Sequence, residues 1–296
     1  MDIEIAPGKY VVAVSGGVDS VVLLDLLCGR ARASGAPSWK LVVAHYDHGI
    51  REDSDEDKKL VEQLARRHGV PFVFDRGHLG PGTSEAVART ARYAFLESVM
   101  RASGSDAVLT AHHRDDALET AVINLARGTG RKGLSSLANN GTIVRPLLGV
   151  SKKEIIEYAK YHGLVWHEDS TNTSTDYLRN HIRHNVLPKW READKQRLLA
   201  ISRTAGRLNA EIDALLEGRL GPELEREWFV LLPHDVAREV MASWLRSQGL
   251  REFDRRAIER LTVGAKVARS GKSIDAVKGY RLQVGRDNLA LRRNER

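Results

Sequence analysis

Three groups of residues have the types and spacing to do chemistry. The first is Ser15-Gly16-Gly17-Val18-Asp19-Ser20, a polar turn set between the apolar runs "VVAV" and "VVLLDLL". Glycines permit backbone conformations and close approach that side chains forbid, and the serine hydroxyls add donors, so such a turn can cradle an oxyanion. A helix opening at its end offers unpaired N–H groups and a dipole that favour the same anion. No Gly-Lys-[Ser/Thr] follows, so this is not the Walker type of loop. Asp19 places an acid beside the anion, which calls for a bridging cation such as Mg²⁺. The same residues also read as a tight turn with an N-capping serine.

The second group is "TAHHRDDALET" (110–120). On a helix, Asp115 and Glu119, and Asp116 and Glu119, share one face. In a basic protein, acids gathered there point to a cation site, for a metal on a phosphate or for an ammonium; they equally complement a helix dipole. His112 and His113 are adjacent, so on an extended segment one faces the site and the other the core. The third group is basic. Arg89 and Arg92 stand three apart in "SEAVARTARYAFL", Arg127, Arg131 and Lys132 lie in "RGTGRKG", and Arg179, Asn180 and Arg183 lie in "DYLRNHIRHNVLP". Such groups suit phosphate and base-edge contacts, surface ion pairs, or a solvated face.

The elements that position these groups can be read from periodicity. Short, nearly all-apolar runs at 10–14, 40–45, 71–74 and 107–111 predict strands covered on both faces. Amphipathic segments at 19–30, 54–68, 83–103 and 115–127 alternate with them, which predicts a doubly wound, mostly parallel α/β sheet. Ser151 and Glu154 form a capping-box pattern for a further helix. Beyond it the strand signals stop, 178–217 reads as helical, and 218–228 carries the turn residues of a linker. A smaller α-rich unit follows, closed by a hairpin over "YRLQVGRDNLALR". The expected division is a catalytic domain over 1–215 and a small basic domain over 216–296.

Charge placement separates the two. The chain has 296 residues and a net charge of +7. From Leu250 to Arg296 there are 13 Lys/Arg against 6 Asp/Glu, whereas the first 249 residues hold 33 of each sign. A localised excess of this kind points to a polyanion partner, or to a solvated basic surface. No apolar run approaches the ~20 residues of a membrane span, and the N-terminus lacks the pattern of a signal peptide, so the cytoplasm is the expected location. The single cysteine, Cys28, falls on the apolar face of the first helix. It excludes an internal disulfide and a Cys-rich metal site, and argues against sulfur transfer.

Ser-Gly-Gly-Val-Asp-Ser after a first strand resembles the pyrophosphate loop (PP-loop) of the N-type ATP pyrophosphatases, whose fold is adenine nucleotide alpha hydrolase-like. With "AHYDHGIREDSDED" (44–57) and the stretches quoted above, the likeness narrows to the tRNA(Ile)-lysidine synthetases from about residue 10 to 190, with a weaker echo in "SGKSIDAVKGYRL" (270–282). The resemblance implies ATP bound by Ser15, Gly16, Gly17, Val18, Asp19, Ser20 and His45, with Mg²⁺ at Asp19 through the phosphates. It implies free lysine recognised by Asp116 and Glu119, and tRNA held by Arg89, Arg127, Arg131, Lys132, Arg179, Asn180 and Arg183. Asp19, Arg92, His112, His113 and Asp115 would then serve the chemistry, the adenylation of a wobble cytidine at C2 and its replacement by lysine. Longer relatives carry a further C-terminal domain for which this chain has no room, so reduced acceptor-arm contacts are expected. A small-molecule amidating synthetase is disfavoured by the basic tail, and a non-catalytic RNA-binding protein by the intact Asp19 and acidic cluster.

Overall fold

The apolar runs form parallel strands because both of their faces are buried. The structure, a computed structural model, describes residues 1, 3–33, 39–49, 54–77, 80, 82–128, 131–135, 137, 142–167, 177–250, 253–277 and 279–293. The stretches at 50–53, 129–130 and 176, which belong to motifs quoted above, lie outside the described residues. The strands are β1 (Gly8–Ala13), β2 (Trp39–Asp47), β3 (Phe72–Arg76), β4 (Ala107–Leu109) and β5 (Ile143–Val144). They alternate with α1 (Val18–Ala33), α2 (Ser54–His68), α3 (Glu85–Ser103), α4 (Arg114–Ala126), α5 (Arg131–Leu134) and α6 (Lys152–Tyr161).

Successive side chains point to opposite faces of a sheet. Val11, Ala44 and Val108 accordingly pack on Leu96 and Val99 of α3. Tyr10, Val12, Val43 and Leu109 pack the other way, on Val22 and Leu23 of α1, Val61 and Ala65 of α2, and Ile155 and Ala159 of α6. Helices therefore cover both faces, as in a doubly wound fold. Cys28 is buried in the α1 layer. The sheet order is β3-β2-β1-β4-β5, and every pairing is parallel. The connections turn back between β1 and β4, and loops leaving such a switch point diverge to leave a crevice. The phosphate turn leaves β1 and the His–Asp segment leaves β4.

Beyond α6 come α7 (Tyr177–His181), a π-helical turn over 182–186, a 3₁₀ turn over 187–189 and α8 (Glu192–Glu217). Ile182, Leu187, Leu198 and Leu199 bury against Leu118, Ala121 and Ile123 of α4. That packing brings Arg179 and Arg183 to the acids of α4.

The chain divides into two compact units, Met1–Gly206 and Arg207–Arg296, so the division falls inside α8 rather than at 215/216. The second unit holds β6 (Glu223–Glu225), α9 (Arg226–Leu231), α10 (His234–Ser247), α11 (Arg255–Val267), β7 (Ser273–Asp275), β8 (Tyr280–Val284) and β9 (Asn288–Arg293). Its sheet is antiparallel, in the order β6-β9-β8-β7. The hairpin over 280–293 forms as the alternation predicts, around Trp244, Phe229 and Leu261 in the core. β6 falls in the stretch that reads as linker; only Leu224 of its three residues is buried, too little for alternation to register. No helix among the described residues is long and apolar enough to cross a membrane.

Leu109 is fully buried in β4, one residue before the site segment begins. Leu109→Ala is expected to cost about 2–5 kcal/mol through lost burial and an incompletely collapsed cavity. The midpoint of chemical denaturation measures it.

Candidate active site

The turn after β1 is closed by its own serines. Ser20 Oγ donates to the Gly17 carbonyl at 2.9 Å and accepts the Ser15 N–H at 3.1 Å. Gly16 has φ +97, a conformation that favours glycine, and a Cβ there would stand 3.2 Å from Asp57 Oδ1. Gly17 is not among the positive-φ glycines. Asp57 is held in turn by His167, whose Nδ1 donates at 2.7 Å and whose backbone N–H donates to the Gly16 carbonyl at 3.1 Å. On the β2 side, His45 Nδ1 donates to the Val14 carbonyl at 2.8 Å.

This turn forms one wall of a crevice of about 380 Å³. Ser15, Gly17, Asp19, Ser20, His45, Arg92, His112 and Asp116 all line it, which brings together residues from three separate sequence groups. Gly16 and Val18 shape the turn from behind, both buried.

The opposite wall starts at α4. His113 is its N-cap: Nδ1 accepts the Asp115 N–H at 3.2 Å, while Asp116 Oδ2 accepts the His113 N–H at 3.0 Å. An N–H only donates, so the His113 proton lies on Nε2, 3.6 Å from Asp116 and 3.9 Å from Asp19. The two histidines diverge as their adjacency predicts, His112 to the crevice and His113 to the interior. Asp115 does not line the crevice; it accepts the backbone N–H of Lys152 at 2.8 Å and so fixes the start of α6. Lys152 Nζ then reaches Asp19 Oδ1 at 2.6 Å.

Glu119 is fully buried. Arg183 grips it through two donors, Nε at 2.6 Å and Nη2 at 3.0 Å, and Arg179 Nε stands 3.7 Å away. Arg183 also lies 3.8 Å from Asp116. The hydrogen bonds to Glu119 raise the Arg183 pKa further, so this guanidinium is always charged.

A basic corner faces this acidic one. Arg89 and Arg92 lie over the Tyr93 ring at 4.9 and 5.5 Å, and the buried Arg145 hydrogen-bonds to Tyr93. Burial, and then the charges of Arg145, Arg89 and Arg92, hold the His112 imidazole at a pKa of about 3. His112 is therefore a neutral hydrogen-bonding group, with Nδ1 2.9 Å from the Thr110 hydroxyl.

Asp19 and Asp116 present hard carboxylate oxygens suited to Mg²⁺. Among the described residues no three His, Cys, Asp or Glu side chains converge as a self-sufficient metal site. A cation here would rest on one or two carboxylates and on oxygens of the ligand, the usual manner of Mg²⁺ with phosphates. Of the remaining residues expected at the tRNA, Arg127 caps the far end of α4, Lys132 sits on α5 and Asn180 on α7; none lines the crevice. The side chain of Arg131 lies outside the described residues.

A parallel sheet with a glycine-bearing phosphate turn at its switch point is the arrangement of a nucleotide-binding α/β protein. A family profile described as the PP-loop domain matches residues 4–190, and the chain belongs to that family. Among similar proteins, a tRNA(Ile)-lysidine synthase of Exiguobacterium sibiricum is 41% identical over 191 residues, 63% of this chain and 44% of that protein. Another, of Geobacter sulfurreducens, is 39% identical over 236 residues, 76% of this chain and 49% of that protein. A third, of Methylococcus capsulatus, is 36% identical over 277 residues, 86% of this chain and 62% of its own length. The chain thus spans about half the length of the curated relatives it matches. Among solved structures, a U34-tRNA thiolase of Methanococcus maripaludis matches with a TM-score of 0.57 at 18% identity, covering 69% of this chain and 73% of that one, a likeness of fold alone.

The low pKa of His112 carries a stability signature. The unfolded ring binds its proton near the ordinary 6.5 and the folded ring only near about 3. Between those values the unfolded state holds the extra proton, so stability rises with pH. The contribution is complete above the unfolded value and is lost as pH falls. His112→Gln is expected to flatten that part of the stability profile. In the unmodified protein, NMR titration should show His112 uncharged across about pH 5–8.

Proposed function

We propose that this chain is an ATP-dependent ligase of the tRNA(Ile)-lysidine synthase type, which joins free lysine to a cytidine of tRNA. The observation that carries the reading is the pairing of opposites in one crevice. An anion cradle at 15–20 faces the carboxylate of Asp116, with Glu119 beneath it, as a triphosphate and an ammonium would require. Its similarity to the three tRNA(Ile)-lysidine synthases described above supports it.

In this reading the turn at 15–20 holds the phosphates of ATP. O2 of the wobble cytidine attacks the α-phosphorus and pyrophosphate leaves, converting a poor leaving group into a phosphate ester. The ε-amine of lysine then attacks C2 and AMP departs. The amine must be neutral to attack, and Asp116 is placed to orient the ammonium and take its proton. His112, uncharged at working pH, positions a substrate polar group without adding to the positive charge of the corner. Lys152 leaves Asp19 for the incoming phosphates. Mg²⁺ would be held by Asp19 together with oxygens of the phosphates, and it would supply charge neutralisation for the departing pyrophosphate. Glu119 meets lysine only as Arg183 exchanges it for the tRNA backbone, because one buried carboxylate cannot serve two cations fully.

The test is pyrophosphate release with ATP and lysine, with and without total tRNA. Sustained release that needs both lysine and tRNA is expected, with no more than one equivalent per tRNA when lysine is left out, and Asp19→Asn should lower turnover by at least ~100-fold. Release independent of tRNA, or undiminished in that variant, would contradict the reading.

The tRNA is assigned in part to the basic tail, where several charges already have structural duties. Lys266 donates to the carbonyls of Val230 and Leu232, Arg260 to those of Asp275 and Ala276, and Arg281 pairs with Asp275. Arg255, Arg256 and Lys272 are exposed, and no ion pair engages them among the described residues. Changing those three to Glu should weaken tRNA binding and make its log–log salt dependence shallower by about one unit per lost contact, while ATP binding persists. Filter binding across a salt series measures it, and an unchanged slope would confine the tRNA to the first unit.

A further inference from the structure

His167 stands behind the phosphate turn, does not line the crevice and has no part in the chemistry above. An anchored stretch delivers it: Leu164 and Trp166, just before it, pack against the core of the α1 layer. From there it makes two bonds. Its backbone N–H donates to the Gly16 carbonyl at 3.1 Å, and its Nδ1 donates to Asp57 Oδ1 at 2.7 Å. A carboxylate only accepts, so Nδ1 carries the ring proton. Asp57 belongs to the first turn of α2, so His167 joins three separate pieces of chain at Gly16.

These bonds bear on where the donors of the turn point. The peptide between Gly16 and Gly17 is trans, and in a trans peptide the C=O and N–H point to opposite sides. With the Gly16 carbonyl turned to His167, the Gly17 N–H is turned the other way, toward the crevice that Gly17 lines. There it lies 3.4 Å from Ser15 Oγ, a long bond that leaves it able to meet an anion. A peptide flanked by two glycines flips readily, since neither residue has a Cβ to hinder it. Asp57 opposes the flip, because its carboxylate fills the space beside Gly16 so closely that a Cβ there would be crowded. That carboxylate also lines the crevice, where its charge repels an anion unless a donor shares it. We propose that His167 is a positioning residue for the phosphate turn. By holding the Gly16 carbonyl and Asp57 together, it keeps the Gly17 N–H aimed at the anion and tempers the charge beside it. It touches no substrate, and its role rests on the reading that the turn holds phosphates.

Calorimetric binding of inorganic tripolyphosphate and of ATP to the full chain tests it. His167→Leu keeps the backbone N–H and removes the side-chain donor, and both ligands should bind it about tenfold more weakly. His167→Asn places an amide N–H where Nδ1 stands, and affinity should return to within about threefold of the unmodified protein. In steady state the KM for ATP should rise in His167→Leu while the KM for lysine holds, a split that general loosening of the fold does not give. One measurement needs no variant: adding tripolyphosphate should shift the Gly17 amide resonance and leave the His167 amide slow to exchange. Undiminished tripolyphosphate affinity in His167→Leu, or a loss that His167→Asn does not restore, would overturn the inference. So would a KM for lysine that rises in step with that for ATP, or a Gly17 amide indifferent to tripolyphosphate. If the unmodified protein binds neither tripolyphosphate nor ATP, the phosphate reading of the turn fails instead.

Discussion

A carboxylate with no contact with water cannot stand alone, and Glu119 is such a carboxylate. Its two-point bond to Arg183 fixes more than one side chain. It ties the segment after α6 to α4, where Ile182 and Leu187 pack against Leu118, Ala121 and Ile123. It also sets the field felt by Asp116, which shares Arg183 at longer range. The wall of the crevice opposite the phosphate turn exists in its present form because that charge is balanced there.

Around this pair the crevice is divided by sign. Arg89, Arg92 and Arg145 gather about Tyr93 and His112, while Asp19 and Asp116 stand by the phosphate turn. Lys152 spans the difference. It begins α6, its backbone N–H is held by Asp115, and its ammonium meets Asp19. One residue therefore links the starts of α1, α4 and α6, and the Ser151–Glu154 capping box fixes the helix turn that carries it. The charges nearest the turn at 15–20 are set by helix starts more than by loops.

Much of this was legible in the sequence, and the limits are physical. The strand–turn–helix at 10–27, the acids of α4 and the capping box at 151–154 are local patterns, and local patterns survive into the fold. Partners distant along the chain do not announce themselves. Lys152 and Asp19 are separated by 133 positions, and nothing at either position names the other. Asp115 looked like a member of the acidic face, yet its oxygen is used by the start of another helix. Arg145 follows a strand of two residues, too short to show a period, so neither β5 nor the arginine it delivers was visible. The acidic pattern at 116 and 119 gave no hint that the arginines at 179 and 183 stand beside it. Spacing records which residues share a face, whereas burial decides what must neutralise them.

The capping box of α4 ties occupancy to backbone. The oxygen of Asp116 that holds the His113 amide belongs to a carboxylate that also lines the crevice. A cation that drew this carboxylate outward would loosen the hydrogen bond at the mouth of the helix, and the first turn of α4 would yield with it. The amide proton of residue 113 would then be a gauge of the crevice, its exchange with solvent quickening when the acid is engaged elsewhere and slowing when it returns.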